Sequence, residues 1–350
     1  MTKYNIFTEP LEIYNHMLSD IRRAKKSIYL ETYIFDKDII GYKFKQLLIK
    51  KASEGVKIKL LIDSWGSSVK EYYFEELKKN GAEVKFFRKF KITPRLFSTN
   101  HRRNHRKLLL IDEKISYIGS ANITASCLGS MELVLRMEGE ITKKFILFFN
   151  NHYKYEDIII SRKLYRIFYE DLKIIGDSIS YLKRITEKEY MSLIRKAKKE
   201  VLIMTPYFVP PTKMRKVFYN LMKKGVVVSI IVPVSSDVKL ADLIRDSYLA
   251  ALYNKGVQIY FYKPGFLHSK LLVVDDEYFL MGSSNVDYRS FRWQSEINII
   301  GRNKNVINGL RNEFNKTLRE SVPFDYERWR LRSRFKRLLE RIGEYIRKYL

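Results

Sequence analysis

Two histidine–lysine pairs carry the chemistry open to this sequence. Residues 105–122 run His105-Arg106-Lys107, then four apolar residues to Asp112, and on to Gly119-Ser120-Ala121-Asn122. Residues 268–285 keep every spacing: His268-Ser269-Lys270, Asp275, then Gly282-Ser283-Ser284-Asn285. A lone His-x-Lys arises by accident, whereas a whole pattern reproduced twice does not. Alternate residues of a strand share a face, so each histidine shares one with its lysine. The short apolar runs read as buried strands. Asp112-Glu113-Lys114 and Asp275-Asp276-Glu277 read as tight turns into a second strand. Two matching polar edges on buried hairpins imply one active site assembled from two halves. A neutral imidazole in such a site is a nucleophile. A protonated one is a general acid and later a base, and the surroundings must hold the two in opposite states.

The duplicated pattern resembles that of the phospholipase D superfamily. The strings Glu31-Thr32-Tyr33-Ile34-Phe35, Asp63-Ser64-Trp65-Gly66, Thr205-Pro206-Tyr207-Phe208 and Asn285-Val286-Asp287-Tyr288-Arg289-Ser290 resemble its bacterial cardiolipin synthase branch. The resemblance spans nearly the whole chain. It implies an α/β fold of two pseudo-symmetric α/β/α sandwich halves with the active site at their interface. It also implies transfer of a phosphatidyl group between two phosphatidylglycerol molecules, giving cardiolipin and glycerol through a phosphohistidine. The first-half histidine is generally the nucleophile in this family, which assigns His105 to attack and His268 to acid/base work. Lys107 and Lys270 would supply fixed charge to the non-bridging oxygens, and Ser120, Asn122, Ser283 and Asn285 would donate hydrogen bonds to them. Asp112 and Asp275 belong to the catalytic motif, although their place in turns argues for a structural role. Glu132 and Glu296 follow their motifs at similar distances and are candidates to hold a histidine in one tautomer, with plain surface acids as the alternative. Two lysines and an imidazolium leave no call for a metal, and exchanging one phosphodiester for another calls for no cofactor. His16, His101 and His152 lack a partner lysine and read as ordinary polar residues.

The elements that must position these groups repeat as well. Pro10 opens a helix striped by Leu11, Tyr14, Leu18 and Ile21, ahead of a strand over 28–35. In the second half Thr186-x-x-Glu189 reads as a capping box, ahead of a strand over 201–208. Helices stopped at Gly55 and Gly225 precede strands over 56–63 and 226–233. Others stopped at Gly81 and Gly256 precede strands over 83–87 and 258–262. Alternating helices and strands indicate an α/β sheet covered on both faces. The division expected is a first half over 1–150, a connecting segment over 151–184, a second half over 185–322 and a basic amphipathic helix over 323–350. The face of that last helix is formed by Leu331, Phe335, Leu338, Leu339, Ile342, Ile346 and Tyr349.

With 66 Lys and Arg against 39 Asp and Glu, the 350-residue chain carries a formal charge of +27. That field draws polyanions, nucleic acid or an anionic membrane surface alike; the resemblance makes an anionic phospholipid membrane (phosphatidylglycerol, cardiolipin) the expected partner, with nucleic acid the alternative. The basic, Phe-bearing stretch 85–107 is a candidate contact rim, and homo-oligomers remain open. The single Cys127 permits no intrachain disulfide and suits a reducing compartment. Neither a signal peptide nor an apolar run of spanning length is found, so the expectation is a short form without N-terminal spans. Such a protein would sit peripherally on the cytoplasmic face of the bacterial membrane. The rival functions are a phosphodiesterase acting on nucleic acid, a lipid hydrolase that lets water resolve the same intermediate, and a non-catalytic polyanion binder.

Overall fold

The computed structural model describes residues 2–88, 100, 102–155, 165–177 and 184–346. Both motifs build the same hairpin. Leu108–Ile111 pairs antiparallel with Ile115–Gly119, and Leu271–Val274 pairs antiparallel with Tyr278–Gly282. The turns take left-handed φ at Asp112 (53°), Glu113 (59°) and Asp275 (51°). Aspartate tolerates that region better than most residues, which suits it to these corners.

Each hairpin is the middle of a larger sheet. The first orders its strands Lys3–Phe7, Val134–Glu138, Ile115–Gly119, Leu108–Ile111, Ser27–Thr32, Lys57–Asp63 and Glu83–Phe87. The second begins with Arg166–Tyr169 and Leu172–Asp177, and then passes through Gln294–Gly301, Tyr278–Gly282 and Leu271–Val274. It ends with Glu200–Met204, Val227–Pro233, Gln258–Tyr262 and Ser321–Pro323. From Val134–Glu138 and from Gln294–Gly301 onward the two orders match strand for strand, three antiparallel pairings followed by two parallel ones. The duplication read from the motifs is therefore a duplication of the whole sheet.

Successive strand residues enter different cores. Leu108 and Leu110 join a central core with Leu271 and Val273 of the other sheet, whereas Leu109 and Ile111 join an outer one. Phe145, Phe148 and Phe149 of the helix Ile141–Tyr155 and Leu310 and Phe314 of the helix Lys304–Arg319 fill that central layer. The halves are thus joined by a continuous apolar core, which fixes their mutual register to within packing tolerance. The expected connection over 151–184 includes Leu172–Asp177, which extends the second sheet by pairing with Gln294–Gly301.

The strands expected over 28–35 and 201–208 stop at Thr32 and Met204. Beyond them Phe35 and Phe208 make single bridges to Ile123 and Val286, and this bends Tyr33 and Tyr207 into the site. The capping box is a correction. Thr186 lies inside the helix Ile185–Arg195, whose first amides at Ile185 and Thr186 donate to the Asp177 carboxylate at 2.7 and 3.0 Å. Glu189 pairs instead with Lys173 and Arg166. The cap comes from a neighbouring strand, so no local signature could reveal it. The terminal helix Arg334–Ile346 packs on the helix Lys239–Tyr253 and leaves Phe335, Leu338 and Ile342 exposed, as is Leu331 in the turn before it. No helix among the described residues is long and apolar enough to cross a membrane. Most of the basic rim (residues 89–99, and His101) and Tyr349 lie outside the described residues.

Candidate active site

The two motif edges meet at a cavity of about 630 Å³ whose wall includes His105, His268, Asn122 and Asn285. The glycines of Gly-Ser-x-Asn make this possible. A Cβ on Gly119 would stand 2.2 Å from the Leu133 carbonyl, and one on Gly282, at φ 152°, would stand 2.3 Å from that of Ile297. Only glycine lets the following segment pass so close, and that segment carries the glutamate.

Each glutamate crosses to the other half. Glu132 Oε1 and Oε2 lie 3.0 and 2.9 Å from His268 Nδ1. Glu296 Oε1 and Oε2 lie 3.0 and 3.2 Å from His105 Nδ1. Both carboxylates are fully buried. A carboxylate on Nδ1 holds the proton there and leaves Nε2 as the reactive nitrogen.

The serines do not face the cavity as the sequence suggested. Ser120 Oγ donates to Glu132 and accepts from the Leu133 amide at 2.8 Å. Ser283 Oγ donates to Glu296 and accepts from the Ile297 amide at 3.0 Å. Both are wholly buried, so they fix the glutamates and have nothing left for a phosphate. Asn122 and Asn285 do line the cavity. Asn122 accepts from the Ile34 amide at 3.2 Å, which leaves its amide nitrogen for a ligand, whereas the Asn285 Oδ1 is buried without a partner.

Asp112 and Asp275 are a second correction. Asp112 accepts from the amides of Lys25, Lys26 and Ser27 at 2.7 to 2.9 Å. Asp275 does the same for Lys198, Lys199 and Glu200 at 2.9 to 3.0 Å. Each sits at the far end of a strand from its histidine and clamps the turn to the start of the neighbouring strand. Neither aspartate lines the cavity.

Lys107 Nζ donates to the His105 carbonyl at 2.8 Å and Lys270 Nζ to that of His268 at 2.5 Å, each folding back on its own motif. Burial pulls Lys107 down to about 8 and Lys270 down to about 7. Burial also draws His105 well below the usual imidazole range, with Lys107 and Lys270 adding to the effect. His268 is lowered by burial too, but Glu132 pulls against it. Glu132 is resisted by burial yet falls to about 2, because His268 and Lys270 outweigh that cost. Burial instead lifts Glu296 to about 7. The halves match in geometry and differ in charge: Glu132 is held ionised beside His268 and resists the fall of its imidazole, whereas Glu296 is lifted toward neutrality beside His105, which is lowered further. Ser130 Oγ, 3.0 Å from Glu132 Oε1, adds a further donor on the charged side.

Several neighbours went unassigned in the sequence reading. The Tyr33 ring stands edge-on to His105 at 5.2 Å, and Phe266 stacks on His268 at 5.6 Å. Asp63 accepts from the Asn104 amide at 2.8 Å and lies 3.7 Å from Arg103, and so anchors the approach to His105. His152 is no ordinary polar residue: it is buried, with Nδ1 2.6 Å from Glu31. His16 conforms, exposed against the Phe7 ring.

Comparison with known proteins agrees with this architecture. The family described as cardiolipin synthase, PLD-like domain, matches residues 17–153 and 190–318, one segment in each half. The chain belongs to this family. The cardiolipin synthase of Clostridium perfringens strain 13 is 33% identical over 98% of this chain and 75% of its own length. The major cardiolipin synthase of Bacillus subtilis is 30% identical, covering 98% and 74%. Among solved structures, the phosphatidylserine synthase of Haemophilus influenzae superposes with a TM-score of 0.82 at 15% identity, over 99% of this chain and 95% of that one. This last likeness establishes a shared fold.

Proposed function

We propose that the protein is a cardiolipin synthase that uses His105 as nucleophile and His268 as proton carrier. The observation that carries this division of labour is the crossed pair of carboxylates together with the unequal charge of the two halves. Neutral His105 Nε2 attacks the phosphorus of one phosphatidylglycerol. The P–O bond to the head-group glycerol breaks as His268 gives that oxygen its proton, and glycerol leaves. A hydroxyl of a second phosphatidylglycerol then loses its proton to His268 and attacks phosphorus. The P–N bond breaks, and cardiolipin and the starting enzyme are released. Lys107 and Lys270 sit beside the oxygens whose charge grows in each displacement, and Asn122 adds a donor. Glu296 and Glu132 position the imidazoles, and the motif serines hold the glutamates.

Attachment to the lipid surface is supported by the terminal helix. Its exposed Phe335, Leu338 and Ile342 fall at helical spacing, with Arg334, Lys336 and Arg337 exposed between them. That pattern suits insertion at the headgroup level of an anionic leaflet. The helix beneath it, Lys239–Tyr253, contributes Ala241 to the cavity wall, so docking here would bring the mouth to the lipid. The +27 charge favours the anionic cytoplasmic face.

The test is incubation of the purified protein with phosphatidylglycerol vesicles, without metal or nucleotide, and mass spectrometry of the lipids. Cardiolipin and free glycerol, absent with His105→Ala and His268→Ala, are expected. Phosphatidic acid alone would make the protein a hydrolase. Cleavage of DNA without lipid turnover would replace the reading with a nuclease.

A further inference from the structure

The cavity contains a cation that the two-step chemistry does not use. Arg289 lines the wall together with both histidines, Tyr207, Asp237 and Asp287. Its Nε is buried without a hydrogen-bond partner, and no carboxylate among the described residues lies within ion-pair distance of its guanidinium. The neighbouring cations have other roles: Lys107 and Lys270 donate to their own motif carbonyls and are assigned to the reacting phosphate, Arg103 faces Asp63, and Arg292 faces Glu187. A guanidinium left half-buried and unpaired is unfavourable unless an anion completes it.

The position of Arg289 breaks the symmetry of the fold. Four residues past each motif asparagine stand Ser126 in the first half and Arg289 in the second. The intervening motif neighbours differ likewise, Thr124 against Asp287. The duplicated machinery treats the reacting phosphate alike from both sides. A cation present on one side only serves something that is itself one-sided. Its local frame is rigid: Asp287 caps the short helix Tyr288–Arg292 by accepting from the Ser290 amide at 2.6 Å, and Arg289 rides on that helix. Arg289 shares the cavity wall with His105, Tyr33 and Tyr207, and its charge also acts on the buried Asp287 two residues before it.

We propose that Arg289 forms a second phosphate subsite, which holds the phosphodiester of the acceptor lipid while its free hydroxyl attacks the phosphohistidine. The proposal rests on the cardiolipin synthase reading and deepens it. The reacting phosphodiester is already matched by two lysines and an imidazolium. The acceptor brings one further negative charge, separated from its attacking oxygen by a three-carbon bridge. That charge has no partner unless the wall supplies one. Arg289 supplies it from the wall that also carries both histidines. A planar guanidinium binds a phosphodiester through two parallel N–H···O bonds, which fixes distance and orientation together. The subsite therefore selects an anionic acceptor over a neutral alcohol or water.

The discriminating experiment compares acceptors in the full chain. Wild type, Arg289→Gln and Arg289→Lys are given phosphatidylglycerol vesicles with and without labelled glycerol. Cardiolipin formation reports transfer to the anionic acceptor. Label entering phosphatidylglycerol reports transfer to a neutral one through the same phosphohistidine. Loss of a charge-assisted, bidentate contact is expected to lower the ratio of cardiolipin to exchanged label by about 10- to 100-fold in Arg289→Gln. A smaller fall is expected in Arg289→Lys, which keeps the charge without the fork. A fall of both products in proportion, with the ratio kept, would overturn the subsite, because Arg289 would then act on the reacting phosphate or on the fold. An unchanged ratio with undiminished cardiolipin would overturn it too. If wild type exchanges label but makes no cardiolipin, the underlying function fails as well, and that outcome is visible before any variant is examined.

Discussion

Replacing Lys270 with methionine should destroy activity and stabilise the protein, in a way that depends on pH. The ammonium is 1% exposed, and burial brings it from 10.5 down to about 7. At ~1.4 kcal/mol for each pH unit, that drop corresponds to about 5 kcal/mol by which the folded state disfavours the charged form. Below pH 7 the lysine is charged in both states and the whole cost is present. Between pH 7 and 10.5 the unfolded chain binds a proton that the folded chain lacks, so wild-type stability rises with pH across that window. Methionine removes the charge at similar length, but it orphans the His268 carbonyl that Lys270 Nζ meets at 2.5 Å and leaves Glu132 with one cation fewer. Those losses take back about 1–3 kcal/mol. The variant should therefore be more stable than wild type by about 2–4 kcal/mol at pH 6. By pH 9 the lysine cost has fallen to about 2 kcal/mol, so the advantage should vanish or reverse. Urea unfolding at pH 6 and pH 9 with linear extrapolation measures both differences. A variant less stable than wild type at pH 6, or a difference independent of pH, would refute the claim that Lys270 is held against its desolvation cost for the sake of function.

Further outcomes follow from the same geometry. Glu296→Gln should change the tautomer of His105 and not that of His268, read by nitrogen NMR of labelled histidine, with turnover down about 10²–10⁴-fold; Glu132→Gln should do the converse, and an effect within the same half would contradict the crossed pairing. Asp112→Ala and Asp275→Ala should each cost about 1–3 kcal/mol in urea unfolding, because three amides lose their acceptor, yet keep turnover within about twofold at a temperature where the fold is intact. Collapse of turnover without loss of stability would return either aspartate to the chemistry. The specificity constant kcat/KM should decline as pH rises through about 7 to 8, because Lys270 and then Lys107 lose their protons in the free enzyme. Lys107→Arg should remove the upper part of that limb if the assignment holds. Leu338→Glu with Ile342→Glu should weaken sedimentation with anionic vesicles about 10-fold or more while leaving hydrolysis of a soluble short-chain substrate unchanged.

The sequence alone contained the duplication, the strand and helix plan, and the His-x-Lys pair of each half. These are legible because they are local: alternation sets which strand faces are apolar, glycine marks where helices stop, and motif spacing survives whatever surrounds it. The turns at Asp112 and Asp275 were legible for the same reason, but their partners were not. The amides they clamp lie 75 to 87 residues away in the chain. Likewise Glu132 and Glu296 stood out as candidates, but only tertiary structure decided that each serves the other half. His268 and Glu132 are 136 residues apart, and His105 and Glu296 are 191 apart. The serines changed role because the close approach allowed by Gly119 and Gly282 turns them toward those carboxylates. Nor could any pattern reveal that Arg289 is unpaired, since that depends on where every nearby carboxylate comes to rest. Periodicity and turns are fixed by neighbours along the chain, whereas partnership between charges is fixed by the packing of two sheets around one core.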